Sequence, residues 1–136
     1  MNLARVMTEI GRRLEAMDGI RVFDYPPGSV VPPAGVVSYP DKINYDQTYQ
    51  RGMDTISGLT VVLVSGKATD RTARDLMGEW TAGEGRNSVK QVLEATGYLS
   101  CDEVSVIDAD FDVISIAGVE YLAATFSVDV AGMGTK

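Results

Sequence analysis

The run Val119-Glu120-Tyr121-Leu122-Ala123-Ala124-Thr125-Phe126-Ser127-Val128-Asp129-Val130 decides the fold of this chain. Leu122, Ala124, Phe126, Val128 and Val130 fall on one side of an extended backbone, and Tyr121, Ala123, Thr125, Ser127 and Asp129 on the other. Such alternation marks a strand with one buried face. The second face is small and polar enough to meet solvent or a neighbouring subunit, so Tyr121 and Thr125 are candidate contact residues. Gly118 supplies the turn into this strand. Before it, Glu103–Ile107 alternates, with Val104 and Val106 on one face and Ser105 on the other. Phe111–Ile116 continues as a bent or bulged strand.

Two helical patterns precede this β region. Thr69 reads as the cap of a helix carrying Ala73, Leu76, Met77 and Trp80 at the spacing i, i+3, i+4, i+7, which Gly83-Glu84-Gly85 then breaks. Ser88 and Gln91 form an S-x-x-Q capping box for a short helix that buries Val89, Val92 and Leu93 and ends before Gly97. Upstream, Ile56–Ser65 is a strand whose centre, Val61-Val62-Leu63-Val64, does not alternate, so both its faces are expected to be covered. At the amino end Leu3, Val6, Met7, Ile10, Leu14 and Met17 recur at three- and four-residue spacing, opposed by Arg5, Glu9, Arg12, Arg13 and Glu15. Asn2 can cap that helix and Gly19 can close it. A short strand, Ile20–Tyr25, follows.

All five prolines lie within residues 26–40, which read as an extended, turn-rich connector around a short strand at Val36–Tyr39. Residues 41–55 read as a long loop or a hairpin. Its Tyr45, Tyr49, Arg51 and Met53 are residue types enriched in interface cores, on a polar segment with little reason to be buried in its own fold. The competing reading is a surface loop with one or two aromatics folded back. The order α, β, β, β, α, α, β, β predicts one α+β domain spanning residues 1–136. It has a mainly antiparallel sheet of about five strands with three helices packed on one side.

Length and composition agree with one globular domain: 136 residues, 45% hydrophobic and 23% charged. No apolar run approaches the ~18 residues that cross a bilayer, and the amino end lacks the apolar stretch of a signal peptide. Cys101 is the only cysteine, which excludes an intrachain disulfide and fits a buried residue in a reducing compartment. Nineteen acids against twelve bases give a net charge of −7. Without a Lys/Arg cluster to neutralise phosphates, specific nucleic-acid binding is not expected. Histidine is absent, which removes His-based triads and histidine-ligated zinc.

Motifs fail on inspection. Ser65-Gly66-Lys67-Ala68-Thr69 resembles half a phosphate-binding loop, but Val61 stands where its first glycine belongs and Ala68 where Ser or Thr must follow the lysine. Gly83-x-Gly85 follows a helix instead of a strand, so it is not a dinucleotide site. Asp108-x-Asp110-x-Asp112 begins like a calcium loop, yet Val113 replaces the glycine and Val119 the closing glutamate. These aspartates are expected on a hairpin turn between two strands. No catalytic residue, cofactor or metal is therefore expected. A small ligand-binding or carboxylate-based enzyme domain is the lesser alternative.

Two stretches carry a resemblance. One is Asp41-Lys42-Ile43-Asn44-Tyr45-Asp46-Gln47-Thr48-Tyr49-Gln50-Arg51-Gly52-Met53-Asp54, leading into the valine-rich strand that ends Ser65-Gly66-Lys67. The other is Phe111-Asp112-Val113-Ile114-Ser115-Ile116-Ala117-Gly118-Val119-Glu120-Tyr121-Leu122-Ala123-Ala124-Thr125-Phe126. Together they resemble the tail terminator proteins of long-tailed bacteriophages, particularly those of actinobacterial hosts. The resemblance implies a virion protein that forms a hexameric ring on the head-proximal end of the tail tube. Such a ring stops tube elongation and offers the surface on which the head docks. It implies three partners: further copies of the chain, the tail tube protein, and a head-to-tail connector or stopper protein. DNA would pass through the bore without specific binding. No enzymatic activity, cofactor or membrane is implied, and assembly would take place in the host cytoplasm. A stopper or head-completion protein of the same neck is the nearest alternative.

Overall fold

The computed structural model describes residues 1–17, 19–23, 32–45 and 52–133. The end of the strand expected at Ile20–Tyr25, the first part of the 26–40 connector, and Tyr49 and Arg51 lie outside the described residues. The elements are α1 (Leu3–Leu14), β1 (Arg21–Phe23), β2 (Ala34–Val37), β3 (Lys42–Asn44), β4 (Met53–Lys67), α2 (Arg71–Thr81), α3 (Val89–Glu94), β5 (Glu103–Ile116) and β6 (Val119–Met133). The six strands form one sheet in the order β1-β2-β4-β6-β5, with β3 also pairing β4. Among the described strands only β1 with β2 is parallel. The domain is α+β, with one strand more than the sequence predicts. That strand is β3, whose Lys42, Ile43 and Asn44 pair Ser57, Ile56 and Thr55.

Long alternating segments account for the centre of the sheet. Ile56, Leu59, Val61 and Leu63 of β4 lie in register with Val130, Val128, Phe126 and Ala124 of β6, and all eight are buried. A bulge between Ile56 and Leu59 keeps them on one face, and Gly58 takes the positive φ (72°) that the extra residue requires. The helices close over this face: Val6, Ile10 and Leu14 of α1, Met77 and Trp80 of α2, and Val89 and Leu93 of α3 join the same cluster. Each fully buried aliphatic side chain there contributes about 1.5–3 kcal/mol of transfer free energy.

Capping follows the sequence at two of three helices. Asn2 accepts from the N–H of Arg5 at 3.1 Å, and Ser88 from the N–H of Gln91 at 3.2 Å. At the third, Thr69 is not the cap. Asp70 occupies that position and makes no side-chain cap bond. The side chain of Gln91 reaches the N–H of Gly85 at 3.0 Å, so the capping box closes one turn further back than expected.

Four further readings are corrected. The second strand is Ala34–Val37 and not Val36–Tyr39, because Gly35 packs in the ladder against Leu63 while Tyr39 is exposed. The centre of β4 is not covered throughout on both faces, since Val62 is only half-buried beside buried Val61 and Leu63. Asp108, Asp110 and Asp112 do not form a turn. They lie within β5, on the face away from the helices, opposite Ser127, Thr125 and Ala123. A bulge between Val106 and Asp108 re-phases the strand, and that is the bend the sequence suggested. Helix α1 ends at Leu14, although Met17 beyond it is still buried and Gly19 adopts the expected positive φ of 71°.

Candidate functional site

The described sequence-derived contact residues, Tyr45, Met53, Tyr121 and Thr125, fall into two groups along β4. Met53 opens β4 and pairs Met133; Tyr45, just past β3, is 68% exposed. Tyr121 pairs Lys67 at the other end of β4, and Thr125 lies between Val62 of β4 and Asp110 of β5. Met53, Tyr121 and Thr125 are half-buried. Fourteen residue steps separate Met53 from Lys67, about 45 Å at the rise of a strand. The structure therefore does not gather these residues into one patch. It offers a tyrosine at one end of the sheet and a broad outer face at the other.

That outer face carries Thr60 and Val62 on β4, Tyr121, Thr125, Ser127 and Asp129 on β6, and Glu103, Asp108, Asp110 and Asp112 on β5. The four β5 acids are exposed. β5 is also the edge of the sheet. Near its start the backbone N–H of Val106 donates to Glu94 at 2.9 Å, so a helix side chain occupies that part of the edge. Glu94 is held below the usual glutamate range, first by Lys90 at 2.8 Å and then by this N–H.

Sequence reading missed the helix-side surface of the same hairpin. Phe111 and Val113 sit opposite Ala124 and Leu122, on the core-side face of β5, yet they are 59% and 48% exposed. The helical layer does not cover this end of β5. The alternation Phe111-Asp112-Val113 was the signal for two apolar residues on one face; helix coverage was not readable.

A second surface missed in the sequence is a groove of about 740 Å³ on the outward side of α1. Its floor is small (Ala4, Thr8, Ala16), and Leu99, 96% exposed, stands at its edge. The 95–100 loop is tied to α1 by charge. Glu9 accepts from the N–H groups of Leu99 and Ser100, each at 2.9 Å, and from the Ser100 hydroxyl at 2.5 Å. Burial pushes the Glu9 carboxyl up, but the Ser100 hydroxyl, these two N–H bonds and nearby Arg13 outweigh it and leave it below its usual range. Arg13 donates to the carbonyls of Ala95 (2.6 Å) and Thr96 (3.0 Å) and lies 3.6 Å from the centroid of the Tyr98 ring. Burial raises the Tyr98 hydroxyl, which donates to the Leu93 carbonyl at 2.6 Å. With Glu9 and Arg13 engaged in this way, Arg5 and Arg12 are the groove charges without a partner among the described residues.

Among the described residues, no group of three or more His, Cys, Asp or Glu is placed to hold a metal ion. No described helix is long and apolar enough to cross a membrane. Compared with known proteins, the chain matches no family model, and no curated protein matches its sequence.

Proposed function

We propose that this chain is a structural virion protein, a tail terminator. Its ring would cap the head-proximal end of a phage tail tube, stop elongation and present the docking surface for the head. The observation that carries the reading is the amount of unsatisfied contact surface on a small α+β domain. A long sheet edge, an outer sheet face with half-buried Tyr121 and Thr125, and exposed Phe111 and Val113 are all available to other chains. A ring requires head-to-tail contacts in which unlike patches meet, and a domain with several unlike patches suits that geometry. Tube growth stops when a subunit matches the last tube ring on one side and offers no equivalent surface on the other. The acidic balance suits a DNA conduit, because like-charge repulsion keeps passing phosphates from sticking.

The test is electron microscopy of lysates from a phage carrying an amber stop in this gene. Overlong headless tubes beside filled heads are the expected result. Normal-length tails with unattached heads would assign the chain to the stopper or head-completion position. Intact virions would overturn the assembly reading and favour the carboxylate-based or ligand-binding alternative.

A further inference from the structure

We propose that two of these chains join head to tail by seating the outer end of one copy's β5 in the α1 groove of the next. The contact rests on the reading of the chain as an assembly subunit, and it names the surfaces that subunit uses.

The two surfaces complement each other in charge and in polarity. On a chain of net charge −7, the groove is a basic spot, with Arg5 and Arg12 unpaired among the described residues and exposed Leu99 beside them. The end of β5 has the opposite character. Asp110 and Asp112 stand exposed on one face of the strand, and Phe111 and Val113 on the other. A strand edge entering the groove carries both sets together, placing carboxylates against guanidinium groups and Phe111 against Leu99 and the small floor of α1. Along the β5 edge the N–H of Val106 donates to Glu94 and that of Val113 to Asp112 at 2.8 Å; the second is an exposed contact, and the Asp112 carboxylate can accept from a guanidinium as well.

The contact cannot be made within one chain. The groove opens on the outward side of the helical layer, whereas Phe111 and Val113 belong to the sheet. The 95–100 loop is moreover held to α1 by Glu9 and Arg13 and cannot swing across. Unlike patches meet, so the head-to-tail contact is heterologous: it propagates from copy to copy and ends in a ring when its rotation closes.

Disulfide trapping tests this directly. In a Cys101→Ala background, Leu99→Cys and Phe111→Cys are made in separate chains, both at exposed positions whose substitution leaves the core intact. Under mild oxidation the mixed pair should give a cross-linked dimer that neither chain gives alone. Arg5→Glu with Arg12→Glu in the groove chain should cut the yield about tenfold through like-charge repulsion. Asp110→Arg with Asp112→Arg in the partner should restore it. A chain carrying both cysteines should give a ladder ending at a closed ring.

Absence of a mixed cross-link, or equal trapping of Leu99→Cys with itself, overturns the proposed contact. If rings are nevertheless seen on tails, the terminator reading survives that failure. A ladder that stops at two copies means a closed reciprocal dimer and overturns the head-to-tail contact.

Discussion

Gly35 lies within β2, in register with Leu63 of β4, and is buried. A Cβ added there would sit 2.6 Å from Leu63 Cδ2 and 3.4 Å from Ile20 Cδ1. Replacing Gly35 with Ala removes backbone freedom from the unfolded chain, worth about 0.4–1 kcal/mol in favour of folding. Against this, Leu63 is fully buried in the central cluster, so its Cδ2 can move only by displacing packed neighbours. Overpacking of such a site costs about 1–3 kcal/mol. Overpacking wins, and Gly35→Ala should destabilise by about 1–2 kcal/mol, a fall in Tm of roughly 3–7 °C for a domain of this size. Leu63→Val, which withdraws the clashing Cδ carbon, should itself cost about 1 kcal/mol through lost burial. The double variant should then be less damaged than the sum, with a coupling of about 1 kcal/mol. Urea denaturation followed by fluorescence of Trp80, fully buried on the inner side of α2, reads all three variants. Strict additivity, or a Gly35→Ala chain as stable as the parent, would refute the argument that β2 and β4 approach closely enough to exclude a methyl group.

Three further outcomes are expected. Ala117 and Gly118 form the β5–β6 turn with φ of 52° and 82°; a left-handed alanine costs about 1–2 kcal/mol, so Ala117→Asn should stabilise by about 0.5–1 kcal/mol, and a loss of stability in thermal melts would contradict the turn geometry. Glu9 titrates lower folded than unfolded, so the unfolded chain binds more protons through the acid range; stability should be full above the unfolded value and fall as pH drops from about 5, and Glu9→Gln should flatten that slope, whereas parallel pH profiles would mean the carboxylate bonds are unimportant. Thr125→Lys, on the half-buried outer face, should change stability by only about 0.5 kcal/mol while abolishing incorporation into tails; normal incorporation with an unchanged melt would remove this face from the contact surface.

What could be read from the sequence was set by periodicity. The alternation in Leu122–Val130 marked β6 and its inward face, and the 3–4 spacing of Leu3–Leu14 and Ala73–Trp80 marked two helices. Short elements were harder. Lys42–Asn44 is only three residues long and carries a charge and an amide, so it shows no pattern of its own and becomes a strand only because Thr55–Ser57 lies beside it. Gly35 lies within the stretch read as a turn-rich connector, because its role is to make room for a side chain distant in sequence. Asp108–Asp112 misled because turn chemistry and an exposed strand face both tolerate aspartate. The outer face of β6 with Tyr121 and Thr125 was legible from alternation. Leu99, Phe111, Arg5 and Arg12 were not, because their exposure depends on where helices stop covering a sheet and on which charges the fold has already engaged.

The central place of β4 also governs how the chain can be made. Its one edge is satisfied by β2 and β3, which leave the ribosome before it, but its other edge waits for β6, made some fifty residues later. Until then a fifteen-residue strand rich in valine and leucine stands with an open ladder, a template for pairing with another nascent chain. The sheet is therefore completed only once β6 has been made. A fragment terminated before Val119 should collect in the insoluble fraction and have no capacity to act as a partial subunit.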